Sequence, residues 1–133
     1  MILVDTSVWI ELLSGRVERP TADQLSQFVT CGPIVQELLQ GLRAGRDSAA
    51  FQESLLALPC LSDPLPLGLF LDAAEIYREG RRKGRTIRST IDCLIAAIAI
   101  DNGIAIWHRD RDFDTIAEYT PLRISQRILP RVQ

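Results

Sequence analysis

Histidine and cysteine are scarce in this 133-residue chain, which has one histidine, His108, and three cysteines, Cys31, Cys60 and Cys93. The cysteines are odd in number and widely spaced, with no histidine at metal-ligand spacing. That excludes a zinc site or a disulfide framework and suits a reducing compartment, the cytoplasm. Positive charge is not in excess either: the formal net charge is -2, so no global field attracts nucleic acid. Glycine and proline are not enriched as they are in fibrous or disordered chains. No Gly-rich phosphate loop occurs. The most continuously apolar piece of any candidate helix, Cys93–Ile100, is far too short to span a membrane. The N-terminus carries Asp5 and Glu11 and no basic leader, which disfavours a signal peptide.

The chain is 47% hydrophobic, mostly Leu, Ile and Val. Its length and apolar content predict a single domain over residues 1–133 built around one core. Ile2, Leu3 and Val4 form a short apolar run that reads as a buried strand, ended by Asp5. Thr6 or Ser7 then caps a helix bearing Val8, Trp9, Leu12 and Leu13, stopped by Gly15. Pro33 suits the first turn of a second helix, with an apolar face of Ile34, Val35, Leu38, Leu39 and Leu42 and a terminator at Gly45.

Further helices are expected from Asp47 to Leu58, from Leu67 to about Lys83, and from Ser89 or Thr90 through Ile100 to Gly103. The Pro59, Pro64 and Pro66 region reads as a connection or a very short strand. Ile104–Trp107 is the second clear strand, followed by an acidic loop over His108–Asp114 and a short helix around Thr115–Glu118. Leu122–Ile124 is a candidate terminal strand. Short apolar strands alternating with longer helices predict a three-layer α/β domain with a mainly parallel sheet.

Carboxylates stand at the joints of this pattern. Asp5 lies where an apolar strand stops, at the sheet edge where open α/β folds form binding crevices, and a capping role competes with catalysis. Asp92 precedes eight residues without charge. An acid beside a buried helix is costly unless paired or metal-bound, although a capping arrangement with Ser89 is a simpler use. Glu37 lies off the centre of its apolar stripe, where a solvent-facing role competes. Asp110, Asp112 and Asp114 alternate with Arg109 and Arg111, and Phe113 is expected to anchor them by packing inward.

Several carboxylates in one cleft repel unless a cation joins them. An all-oxygen ligand set favours Mg²⁺ or Mn²⁺ over zinc. For His108, local hydrogen bonding or packing is favoured over general acid chemistry. Thr6 and Ser7 are supporting candidates, able to orient a carboxylate or cap a helix. Arg78, Arg81, Arg82, Lys83, Arg85 and Arg88 fall within one short stretch. From Arg81 to Arg88 they are candidates for backbone phosphate contacts, with a soluble helix end as the competing use.

MILVDTSVWIELL at the start, PIVQELLQG around Glu37, RSTIDCLIAAIAIDNG around Asp92 and the closing IAIWHRDRDFDTIA together resemble a PIN-domain ribonuclease of the VapC toxin type. The resemblance covers nearly the whole chain. It implies an α/β/α PIN fold, Mg²⁺-dependent cleavage of structured RNA such as transfer or ribosomal RNA, a homodimer, and inhibition by a VapB-type antitoxin. That partner would lay a helix or tail across the active-site groove. By matching motifs, Asp5 resembles the first metal carboxylate, Glu37 the second acid and Asp92 the third. The fourth maps to HRDRDF, most naturally Asp110, with Asp112 its neighbour. Thr6 resembles the hydroxyl residue after the first acid, and His108 stands where Thr or Ser is frequent. The competing functional class is a catalytically silent PIN-like module binding RNA or protein. A phosphatase reading fails on DTS at the first strand, which lacks the second Asp of a DxD nucleophile arrangement.

Overall fold

A computed structural model describes residues 1–133, the side chain of Arg46 excepted. Four parallel strands, β1 (Ile2–Val4), β2 (Phe28–Cys31), β3 (Cys60–Leu61) and β4 (Ile106–Trp107), form a sheet in the order β3-β2-β1-β4. Helices α1 (Thr6–Leu13), α2 (Ala22–Leu25), α3 (Gly32–Gly41), α4 (Arg46–Leu56), α5 (Leu67–Arg82), α6 (Thr90–Asn102) and α7 (Arg111–Ala117) flank it, giving the α/β architecture expected. β1 pairs with β2 through Ile2 opposite Phe28 and Leu3 opposite Val29. It pairs with β4 through Leu3 opposite Ile106 and Val4 opposite Trp107. The chain leaves β1 towards β2 on one side and returns to its other side at β4. That reversal opens a crevice at the carboxyl ends of β1 and β4.

Three of the four strands are covered on both faces: every residue of β1, β2 and β4 is buried. α6 explains its lack of charge in the same way, since Asp92 through Ala99 are all buried and the helix is wrapped on every side. Burying each large aliphatic side chain there stabilises the fold by roughly 1.5–3 kcal/mol. Gly103 ends the helix with φ 62°, a left-handed cap that a residue bearing Cβ adopts reluctantly. At Gly80 in α5 the constraint is space: a Cβ would sit 2.5 Å from the Tyr119 hydroxyl oxygen and 2.6 Å from the Arg85 carbonyl oxygen.

Several boundaries differ from the sequence expectation. β2 and α2 were not foreseen; α2 is a single turn closed by a capping box between Thr21 and Gln24. The cap of α1 is Asp5, not Thr6 or Ser7, because the Asp5 carboxylate accepts the Ser7 N–H. α3 ends at Gly41, short of Gly45. The acidic stretch is helical from Arg111 onward and not a loop to Asp114, because Asp110 caps α7 through the Asp112 N–H. The candidate terminal strand is reduced to one parallel bridge between Ile106 and Ile124.

Candidate active site

Asp5 ends β1, and its own N–H is tied to the Trp107 carbonyl at the end of β4. The residue is 4% exposed. Oδ2 accepts the Ser7 hydroxyl at 2.5 Å and the Ser7 N–H at 3.1 Å. Ser7 Oγ in turn accepts the Arg109 N–H at 2.9 Å, so one hydroxyl joins the first acid to the segment carrying the last ones. Burial holds the Asp5 carboxyl above its usual range; the Ser7 bonds oppose this, and the charge of Asp110 adds to it.

β2 delivers α3 to the same edge, with Pro33 in the first turn. Glu37, half-buried one turn further on, accepts the Thr6 hydroxyl at 3.0 Å. Glu37 is raised by desolvation, lowered by Thr6, and raised again by the charges of Asp5 and Asp110. Glu37 therefore faces Thr6 at the crevice while remaining partly exposed.

Asp92 enters from α6 and is buried. Ser89 occupies the N-cap position, but its side chain makes no capping bond, so the capping arrangement between Ser89 and Asp92 is absent. Desolvation, followed by the charges of Asp110 and Asp5, pushes the Asp92 carboxyl up to about 8. Its Oδ2 is buried without a hydrogen-bond partner. Asp110 and Asp112 approach from the cap and first turn of α7, and one carboxylate oxygen from each of Asp92, Asp110 and Asp112 lies within 4.8 Å of the others. An orphaned buried carboxylate oxygen beside two further carboxylates fits a hard divalent cation, which supplies the missing positive partner.

The basic stretch separates into parts. Arg82 pairs with Glu75 at 2.6 Å and with Glu79, while Lys83 reaches Glu79 at 3.6 Å. Arg85 pairs with Glu118 at 2.8 Å, and Arg81 lies over the Tyr77 ring at 5.7 Å. Arg88 alone among them faces the acids, 3.5 Å from Asp110 and 3.4 Å from Asp112. Arg109 and Arg111, which flank Asp110 in the chain, are exposed and make no ion pair among the described residues. Sequence reasoning missed β2, the strand that brings Glu37 to this edge. Its signal was the aromatic and β-branched run Phe28, Val29 and Thr30 just before Gly32 and Pro33.

A parallel sheet with acids gathered at one edge of its strand order defines a class, and the PIN domain family profile matches residues 2–119. The chain belongs to the PIN-domain family, and within it to the VapC ribonucleases. It is similar to Ribonuclease VapC11 of Mycobacterium tuberculosis, 39% identical over 130 residues, which cover 92% of this chain and 96% of that protein. Ribonuclease VapC18 of the same species is 30% identical over 133 residues, 96% of this chain and 95% of that one. The solved VapBC-1 structure from nontypeable Haemophilus influenzae shares the fold with a TM-score of 0.71 at 22% identity, over 94% of this chain and 97% of that chain. VapC20 of Mycobacterium tuberculosis, described as a Sarcin-Ricin loop cleaving toxin, does so with a TM-score of 0.60 at 22% identity, over 92% of this chain and 99% of that chain.

Proposed function

We propose that this protein is a divalent-metal-dependent endoribonuclease and the toxin of a VapBC-type pair, with Mg²⁺ as its working ion and Mn²⁺ as a competent substitute. The observation that carries the reading is the unpartnered, buried Oδ2 of Asp92 against the carboxylates of Asp110 and Asp112. In this reading Asp92, Asp110 and Asp112 hold the ion, and Asp5 and Glu37 complete the acidic wall. When bound, the ion neutralises charge on the scissile phosphodiester and activates water for hydrolysis. Thr6 and Ser7 orient Glu37 and Asp5 through the hydrogen bonds described above. Arg88, beside the acids, meets phosphate on the substrate side, with Arg109 and Arg111 as further cationic contacts along the RNA backbone.

Structured cellular RNA, of the transfer or ribosomal kind, is the proposed substrate class, and the three free cysteines suit a reducing cytoplasm. The proposed antitoxin is a VapB-type chain. An apolar groove of about 620 Å³ lined by residues including Trp9, Leu12, Leu25, Phe51 and Leu55 lies against the later part of α1. That groove is the proposed seat for an amphipathic antitoxin segment. No helix is long and apolar enough to cross a membrane. A homodimer is part of the proposal.

The test is incubation of partner-free protein with total cellular RNA and Mg²⁺, with new RNA ends mapped against an EDTA control and Asp92→Asn. Discrete ends that need both the ion and Asp92 support the reading. A folded protein that binds RNA but leaves it intact with Mg²⁺ or Mn²⁺ points instead to a silent interaction module.

A further inference from the structure

His108 has its side chain 5% exposed, beside a site in which its ring touches none of the three clustered carboxylates by hydrogen bond. Its Nδ1 accepts the backbone N–H of Asp110 at 3.0 Å. Nε2 stands 3.0 Å from Oδ1 of Asp114, and the ring packs on Phe113 with centroids 5.3 Å apart. These partners assign the tautomer. A backbone N–H only donates, so Nδ1 carries the lone pair, and Nε2 carries the hydrogen donated to the Asp114 carboxylate. Both ring nitrogens are thereby committed, and neither is left for a substrate.

We propose that His108 is a positioning residue that sets Asp110, and through it Asp112, in the geometry needed to hold the metal, with Asp114 fixing the tautomer it requires. The imidazole closes a turn from residue i to i+2, as a short Asx or hydroxyl side chain would. Asp110, held in that turn, then uses Oδ1 to accept the Asp112 N–H at 3.0 Å, starting α7. Two of the three acids in the cluster thus depend on one bond to His108 Nδ1. Ser7 Oγ, bound to the Arg109 N–H, restrains the residue between them. The inference rests on the metal-nuclease reading above.

The experiment is calorimetric titration of Mn²⁺ into metal-stripped full-length protein, with amide exchange at Asp110 and cleavage kinetics measured in parallel. His108→Leu removes the acceptor; it should lose about 10-fold or more in Mn²⁺ affinity, speed exchange at Asp110, and lower kcat with little change in KM. His108→Asn should recover most of that loss, because its side-chain oxygen can accept the same N–H. Asp114→Ala, at an exposed position that folding tolerates, should show a smaller loss in the same direction. Wild-type Mn²⁺ affinity in folded His108→Leu and Asp114→Ala, or no recovery by His108→Asn relative to His108→Leu, overturns the positioning role while leaving the nuclease reading intact. Failure of the wild-type protein itself to bind Mn²⁺ overturns both.

Discussion

The hydroxyl of Thr6 donates to Oε1 of Glu37 at 3.0 Å, joining the first turn of α1 to the middle of α3 across 31 residues. This bond stabilises the charged form of a carboxylate that burial and two neighbouring acids otherwise disfavour. Thr6→Val, nearly isosteric, should therefore cut metal-dependent cleavage by about 10-fold or more with only a small change in melting temperature. Thr6→Ser should retain most activity. Equal rates for Thr6→Val and wild type would remove Thr6 from the site.

Asp92 leads to a pH prediction for the metal-free protein. Its folded-state carboxyl titrates near 8, above its usual value of 3.8, chiefly through desolvation. The folded protein thus binds a proton that the unfolded chain has released, so the contribution of Asp92 to stability is fully present below about 4 and is lost as pH rises to about 8. Asp5 and Glu37, also raised, add to the same slope. Melting temperatures in EDTA should fall from pH 5 to pH 8.5, with a flatter profile for Asp92→Asn. Added Mg²⁺ should rescue stability most at the alkaline end, because binding needs the deprotonated acids. A flat profile in EDTA would contradict this account.

Arg88 lies 3.4 Å from Asp112 and 3.5 Å from Asp110, on the acids assigned to the metal. Because the guanidinium is exposed, its competition with a divalent ion is worth only about 0.2–1 kcal/mol. Arg88→Gln should tighten Mn²⁺ binding by a few-fold and yet slow RNA cleavage, separating metal affinity from catalysis. Weaker Mn²⁺ binding in that variant would show that Arg88 supports the cluster and does not compete for it.

Charge reversal should separate the paired cations from the unpaired ones. Arg82 is engaged by Glu75 and Glu79, whereas Arg109 and Arg111 flank Asp110 without ion pairs among the described residues. Arg109→Glu with Arg111→Glu should weaken RNA binding and flatten its salt dependence by roughly one unit of slope per lost phosphate contact. Arg82→Glu with Lys83→Glu, both held by ion pairs, should weaken binding less, with its effect greatest at low salt. Filter binding over a salt series distinguishes the pairs, and the reverse ranking would move the RNA path to α5.

Gly80→Ala tests the packing of α5 on the segment after α7. The added methyl meets the Tyr119 hydroxyl and the Arg85 carbonyl oxygen, and the backbone oxygen has little freedom to retreat. A loss of about 1–3 kcal/mol is expected from such overpacking, read as a lower denaturation midpoint. Tyr119→Phe in the same background should relieve only part of it, since the contact with Arg85 remains.

Much of this fold was legible because local preferences agreed with the final structure. Ile2–Val4 formed a strand, Pro33 opened a helix, and the uncharged run after Asp92 became a helix buried on every side. β2 escaped notice because four buried residues have no alternation to mark them, as in any strand covered on both faces. The first half of α7, Arg111 to Asp114, reads as a loop in the sequence because the carboxylates that look like a solvated turn include the helix cap, Asp110.

The site divides along the same line. Sequence alone placed Asp5 at a strand end, Asp92 at the start of an apolar helix and Asp110 after a second strand, since each of those positions follows from backbone preferences over a few residues. Tertiary structure decided that Asp92, Asp110 and Asp112 meet within 4.8 Å, that Glu37 is held by Thr6, and that Arg88 rather than Arg82 faces the acids. Those outcomes depend on β1 lying between β2 and β4. Strand order is set by how the whole core packs, and no local window of sequence contains it.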